Sequence, residues 1–106
     1  MARTLINAPA TAKRGDIIEI RTLIAHVMES GYRTGPEGKG LARDIIRRFS
    51  CRYGGELVFS ADLYPAIAAN PYIAFQTVAT DSGPLLFTWE GDNGFAQTET
   101  RTITVT

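Results

Sequence analysis

The only cysteine in the chain, Cys51, is the side chain best suited to act as a strong nucleophile near neutral pH. A cysteine nucleophile reacts as a thiolate, so it needs a neighbouring base or cation that lowers its pKa. Arg47, Arg48 and Arg52 lie close to it in the sequence. Strand alternation, however, places Arg48 and Arg52 on the face opposite Cys51. We therefore predict a buried, unreactive thiol, with a reactive thiol or an intermolecular disulfide as the alternatives.

The single histidine, His26, is the other side chain suited to metal binding or proton transfer near neutral pH. One histidine cannot make a His-rich metal site, and the sequence has no Cys/His ligand spacing. Ser-His-Asp catalysis would need a serine in a strained turn, and no G-x-S-x-G motif occurs. We predict a structural or surface histidine, with a contact to a partner protein as the alternative.

The stretch FTWEGDNG contains the only tryptophan and two nearby carboxylates, Glu90 and Asp92. Their i, i+2 spacing directs both to the same side of a strand, as a pair of acid–base carboxylates would need. The stretch does not match the calcium-loop pattern D-x-[DN]-x-[DN]-G. Asn93-Gly94 is a favoured pair for a type I′ hairpin turn, because both residues tolerate positive φ. We predict a turn that joins the last two strands, with both acids solvated.

The composition limits the classes of partner. The chain has 106 residues, with eleven basic and eleven acidic side chains, and its length predicts one domain, residues 1–106. Zero net charge argues against nonspecific nucleic-acid binding, which needs clustered Lys and Arg. No apolar run approaches the roughly 20 residues that span a bilayer, and the N-terminal segment has no apolar core of a secretory signal. These features alone predict a cytoplasmic protein that binds neither nucleic acid nor membranes.

Apolar residues recur at every second position along most of the chain, as in half-buried strands. The last segment has threonines at alternate positions from Thr98 to Thr106, which is typical of a partly exposed strand. Gly54-Gly55 predicts a tight turn. Seven short strands at regular spacing predict an all-β, immunoglobulin-like two-sheet β-sandwich with no internal disulfide. The predicted core-facing sets are Ile18, Ile20, Thr22 and Ile24; Ile45, Phe49, Cys51 and Tyr53; Leu57, Phe59, Ala61 and Leu63; Ile73, Phe75, Thr77 and Ala79; and Leu85, Phe87 and Trp89.

One long polar loop, residues 29–40, has four glycines and a proline. A β-sandwich without a catalytic set of residues usually binds a partner through its loops or an open sheet edge. Met28, Tyr32 and Arg33 are of types enriched at protein interfaces. The 26–40 segment is therefore the first candidate for a binding surface, with ordinary loop residues as the alternative.

Four stretches of the sequence together resemble one protein family. They are NAPATAKRGDIIEIRTLIAHVMESGYRTG, RDIIRRFSC, FSADLYPAIAANPYIAF and FTWEGDNGFAQTET. They are similar to SoxZ, the small subunit of the SoxYZ sulfur carrier of bacterial thiosulfate oxidation. The resemblance runs from near Leu5 to Thr106 and covers almost the whole chain.

The resemblance implies an immunoglobulin-like sandwich that pairs with a second subunit, SoxY. SoxY ends in a mobile arm whose cysteine carries thiosulfate-derived sulfur between the Sox enzymes. This chain ends in TITVT and has no such arm, and Cys51 lies inside a predicted strand. The resemblance therefore implies a noncatalytic scaffold subunit, with no metal, cofactor or catalytic residue of its own.

The resemblance also implies a compartment and an interface. SoxZ-like subunits reach the periplasm already folded, exported together with SoxY on its twin-arginine signal, so the complex must have a stable interface. We expect one sheet face or edge of this chain to pack on SoxY, and the candidate surfaces are the exposed face near Thr98–Thr106 and the 26–40 loop. For the loop, contact with the enzymes that visit the SoxY arm is the alternative. The residues we expect to contact a partner are His26, Met28, Tyr32, Arg33, Asp92 and Asn93.

Two other functions stay open at this point. One is a small thiol-redox protein that uses Cys51, and the other is a free-standing immunoglobulin-like module that binds a different ligand. The resemblance favours the SoxY-binding subunit, which other Sox enzymes contact only transiently through the complex.

Overall fold

The computed structural model describes residues 2–35 and 38–106, so residues 36 and 37 of the predicted loop lie outside the described part. A short 3₁₀ turn, Asp92–Gly94, precedes the last strand. In the described part, no helix is long and apolar enough to cross a membrane. The strands are β1 (Thr4–Asn7), β2 (Thr11–Ala12), β3 (Ile17–Ile24), β4 (Ile46–Tyr53), β5 (Glu56–Asp62), β6 (Tyr72–Val78), β7 (Gly83–Gly91) and β8 (Ala96–Val105).

The strands form two sheets, as the sequence predicted. A three-stranded antiparallel sheet has the order β1-β3-β6, and a five-stranded sheet has the order β2-β8-β7-β4-β5. Strand β2 runs parallel to β8, while the other neighbours in the larger sheet are antiparallel. The immunoglobulin-like sandwich is thus confirmed, with eight strands in the described part where the sequence predicted seven. The N-terminal strands β1 and β2 were not among the segments in which we recognised alternation. Both are very short, so they leave little periodic signal in the sequence.

The core lies between the two sheets and is centred on aromatic residues. The ring of Phe49, on β4, lies 5.2 Å from Trp89 in its own sheet and 6.1 Å from Phe75 in the other sheet, measured between centroids. These tilted contacts fall in the range that favours aromatic pairs. The alternating residues of β3 and β7 are buried as predicted. The side chains of both sheets therefore interlock around Phe49, which holds their relative position.

Two bulges shift the alternation on β4 and β5. The register between these strands changes after Cys51, so Leu57, predicted to face the core, is exposed, while Val58 packs against the core. A second register shift, between Ile46 and Arg48, lies where β4 pairs with β7, and Ile45 and Ile46 are both buried although strict alternation would put them on opposite sides of the strand. A bulge adds one residue to one strand of a pair, which reverses the facing of the residues beyond it.

Candidate partner-binding surfaces

Cys51 is fully buried on the core side of β4, as predicted from its apolar neighbours. Burial raises the pKa of the thiol to about 12, because the low-dielectric core disfavours the charged thiolate. Its Sγ donates a long hydrogen bond to the carbonyl oxygen of Arg52, at 3.9 Å. At neutral pH this thiol is therefore protonated and out of reach of any substrate.

His26 lies just after β3, with a side chain that is almost completely buried. Its Nδ1 accepts a hydrogen bond from the backbone N–H of Met28 at 3.1 Å, and its ring meets the ring of Phe95 edge-on at 5.1 Å. The Nε2 atom lies 3.8 Å from Oδ1 of Asp44. These contacts give His26 a structural role, in which it joins the end of β3 to the segment before β4.

The three loop residues predicted as contacts differ in exposure. Met28 is buried, and its sulfur accepts a hydrogen bond from the backbone N–H of Ile46 at 3.3 Å. Tyr32 is 85% exposed. Arg33 is exposed and donates from Nε to Oε1 of Glu29 at 3.0 Å. Hydrogen bonds from Arg33 hold the pKa of the Glu29 carboxyl below its ordinary value. Of the three residues, only Tyr32 and Arg33 have exposed side chains that a partner could contact.

Asp92 is the centre of a network that we call the Asp92 clamp, formed by Asp92, Arg43, Ile45 and Arg47. Its carboxylate accepts two hydrogen bonds from Arg43, at 2.8 and 2.9 Å, and one from the backbone N–H of Ile45 at 3.2 Å. Nε of Arg47 lies 3.2 Å from the same carboxylate. The Arg43 hydrogen bonds in particular hold the pKa of Asp92 below its ordinary value.

The prediction that both acids of FTWEGDNG are solvated is therefore half wrong. Glu90 is exposed, whereas the side chain of Asp92 is only 14% exposed. Asn93 and Gly94 both have positive φ, at 58° and 75°, so the predicted turn is confirmed. Asn93 is exposed and donates from Nδ2 to the carbonyl oxygen of Arg43 at 3.4 Å.

One short segment, residues 43–46, brings these predicted residues to the same end of the sandwich. Glu29 pairs with Asp44 in an isolated bridge, and the backbone N–H of Asp92 donates to the carbonyl oxygen of Ile45 at 2.9 Å. Most polar groups at this end are thus satisfied within the chain. Whether the six predicted residues contact a partner stays a prediction, with Tyr32, Arg33 and Asn93 as the exposed members.

The solvent-facing side of the five-stranded sheet is rich in hydroxyl groups. All five alternate threonines from Thr98 to Thr106 are exposed, as the sequence predicted. The register places Thr98 opposite Thr88, and Thr88 opposite Ser50, in one hydroxyl row across the sheet. Hydroxyls are well hydrated, so this face is stable in contact with water.

A different apolar surface, not predicted from the sequence, covers the other side of the sandwich. We call it the outer face, meaning the outward side chains of the three-stranded sheet. Several of its apolar members are exposed, and a depression of about 380 Å³ lies beside Leu5, Leu23 and Tyr72. The sequence of β3 contains a sign of this surface, because its outward, odd-numbered positions begin with the apolar residue Ile17 and end with the apolar residue Leu23. The full set is Leu5, Asn7, Ile17, Glu19, Arg21, Leu23, Tyr72, Ala74, Gln76 and Val78.

A metal ion is held in a protein by His, Cys, Asp or Glu side chains that cluster around one point. Within residues 2–35 and 38–106, no three of these side chains are grouped so that they could hold a metal ion. Such sites are built from at least three protein ligands placed around one point.

Solved structures with the same fold include superoxide reductases. Superoxide reductase (neelaredoxin) from Ignicoccus hospitalis is 17% identical, with a TM-score of 0.76 over 99% of this chain and 82% of that chain. A putative superoxide reductase from Thermotoga maritima is 14% identical, with a TM-score of 0.73 over 97% of this chain and 85% of that chain. At such identities the likeness concerns the fold alone.

The sulfur carrier protein SoxY from Chlorobium limicola f. thiosulfatophilum also has this fold. It is 16% identical, with a TM-score of 0.66 over 97% of this chain and 78% of that chain. No curated protein sequence matches the chain at significant similarity. The family described as "Sulphur oxidation protein SoxZ" matches residues 6–102. Since this match spans all the strands of the sandwich apart from the outermost residues, the chain belongs to the SoxZ family.

Proposed function

We propose that this chain is the noncatalytic scaffold subunit of a heterodimeric sulfur carrier and that it binds a SoxY protein. One observation supports this role most directly: a member of a sulphur oxidation family has its only thiol sealed in the core, with a pKa of about 12. Covalent sulfur transfer needs an accessible thiolate. The sulfur must then be held by another subunit, and the C-terminal cysteine arm of SoxY is suited to that task.

In this proposal the sandwich contributes a rigid platform. Its core is pinned by the Phe49 contacts between the two sheets, and its 43–46 end is stabilised by the Asp92 clamp. A rigid partner surface lowers the entropic cost of forming a complex. The mobile arm of SoxY can then present bound thiosulfate-derived sulfur to one Sox enzyme after another, while the complex remains intact.

We place the complex in the periplasm, where it arrives by export together with SoxY. A pair exported in the folded state must stay associated during transport, so the interface has to be stable on that time scale. Stable interfaces bury roughly 800 Å² on each partner. A surface of this chain with that extent must therefore be covered in the complex.

Co-expression with a tagged SoxY from the same source tests the proposal. We expect the two chains to co-purify in equal amounts and to elute as one species in size-exclusion chromatography. The purified pair should support thiosulfate oxidation when the other Sox enzymes are added. Separate elution of the two chains at micromolar concentrations would contradict the proposal.

The Cys51→Ser variant separates a scaffold from a thiol-redox protein in the same assay. We expect unchanged sulfur transfer by the complex, because the thiol is fully buried. N-ethylmaleimide should modify Cys51 in the urea-unfolded chain but not in the folded one. Loss of transfer by a variant that still forms the heterodimer would favour the thiol-redox function instead.

A further inference from the structure

The outer face has an apolar row that crosses the whole three-stranded sheet. Leu5 lies directly opposite Leu23, and Leu23 lies directly opposite Tyr72. Leu5 is 65% exposed and Tyr72 is 59% exposed, with Leu23 partly covered between them. Directly opposed residues on a sheet face are close enough to form one continuous surface. The depression of about 380 Å³ beside this row can receive an apolar side chain from another protein.

A second apolar pair lies at the other end of the same face, where Ile17 is opposite Val78. Both residues are exposed. Between the two apolar regions, Arg21 forms an ion pair with Glu19. The charges on this face therefore balance each other, and a covering partner needs to supply no counter-charge.

The size of the face can be compared with what a stable complex needs. Strand β3 has eight residues, so it is about 26 Å long, and three strands together are about 14 Å wide. The flat footprint is thus roughly 370 Å², about half of the roughly 800 Å² that a partner covers in a standard interface. The open edge of β6, which in the described part of the chain pairs only with β3, can supply adjoining contact area.

We propose that the outer face is the surface that packs against SoxY, with sheet against sheet; this inference rests on the proposed function. SoxY is the occupant that the fold favours, because the Chlorobium SoxY structure matches 97% of this chain with a TM-score of 0.66. Two sandwiches of one architecture can pack by corresponding sheets around an approximate twofold axis. Sheets packed in this way interdigitate their side chains at about 10 Å separation, which suits the row of Leu5, Leu23 and Tyr72.

The variants Leu5→Glu and Tyr72→Glu test this assignment. Both side chains are largely exposed, so the isolated chain should keep its circular dichroism spectrum and its melting temperature. We expect each change to weaken binding to SoxY by about tenfold or more, because a charge would enter the apolar centre of the contact. The matched control, Ser60→Glu, places the same charge at an exposed position of β5 in the five-stranded sheet and should change the affinity less than twofold.

Hydrogen exchange on the unaltered complex gives a second measurement that does not depend on folding of the variants. We expect SoxY to slow exchange in residues 4–7 and 72–78. If the unaltered chain binds SoxY but neither variant weakens binding and these segments are not protected, the surface assignment is overturned. If the unaltered chain does not bind SoxY, the proposed function fails as well. If this chain alone dimerises and Tyr72→Glu dissociates the dimer, a second copy is the occupant.

Discussion

The Asp92 clamp and the outer face both lie at the protein surface, but they differ in what their side chains contact. In the clamp, one carboxylate is held by Arg43, by Arg47 and by a backbone N–H, all within the chain. On the outer face, Leu5 and Tyr72 stand in solvent, with more than half of each residue's surface exposed. In the isolated chain, the polar groups of the clamp already have partners, whereas the apolar side chains of the outer face remain exposed to water.

This difference separates stability from binding. A carboxylate that is enclosed by intramolecular donors stabilises the fold but has little left to offer another protein. An exposed apolar row adds little to the stability of the isolated chain but can gain free energy when a partner removes it from water. Changes in the clamp should therefore reduce stability, while changes on the outer face should reduce association.

The largest effect on stability is expected from Gly91→Ala, next to the clamp. A Cβ at this position would lie 2.5 Å from the carbonyl oxygen of Ile45 and 3.0 Å from Cα of Ile46. Both are backbone atoms that cannot move aside, so we expect a loss of about 3 kcal/mol in the free energy of unfolding. Urea titration would measure it. The control is Gly83→Ala at the start of the same strand, where the nearest atom lies at 3.9 Å.

A smaller loss is expected for Asp92→Asn, and it should depend on pH. The pKa of Asp92 is lower in the folded chain than its ordinary value, which is about 4 in an unfolded chain. The stabilising contribution is therefore present above about pH 4 and is lost as the pH falls through the folded-state value. We expect the variant to be less stable than the parent at pH 7 and to approach it in acid.

Thermal unfolding at pH 7 and at pH 2.5 would check this dependence. Glu29→Gln can be compared with Asp92→Asn. Hydrogen bonds from Arg33 also lower the pKa of Glu29, but Glu29 lies in the loop and not in the clamp. A stability difference between Asp92→Asn and the parent that stays equal at both pH values would contradict the electrostatic role of the clamp.

The smallest effect on the isolated chain is expected on the outer face. Ile17→Thr changes an exposed residue of β3 that contacts Val78 across the strands, so the loss should be below about 1 kcal/mol. The adjacent Ile18→Thr changes a buried residue and should cost about 2 kcal/mol or more. Equal losses for the two variants would mean that the outer face supports the fold, and the contrast with the clamp would fail.

The sequence predicted the parts of this molecule that depend on local pattern. Period-two alternation placed Ile18 and Ile20 in the core, and it placed Cys51 on the same face as Phe49 and Tyr53, which predicted a buried thiol. The positive φ of Asn93 and Gly94 follows from the side chains themselves. Leu57 was misplaced because the bulge after Cys51 arises from pairing between strands and has no mark in either strand alone.

The sequence by itself therefore determined the fold class, the hairpin turn and the inert thiol, because each depends on residues that are neighbours along the chain. Only the tertiary structure decided the role of Asp92, whose partners lie 45 to 49 positions away. It also decided which apolar residues stay uncovered, since Leu5, Leu23 and Tyr72 become one surface only when three separate strands pair. Long-range pairing of this kind depends on the register of the whole sheet, which local sequence does not specify.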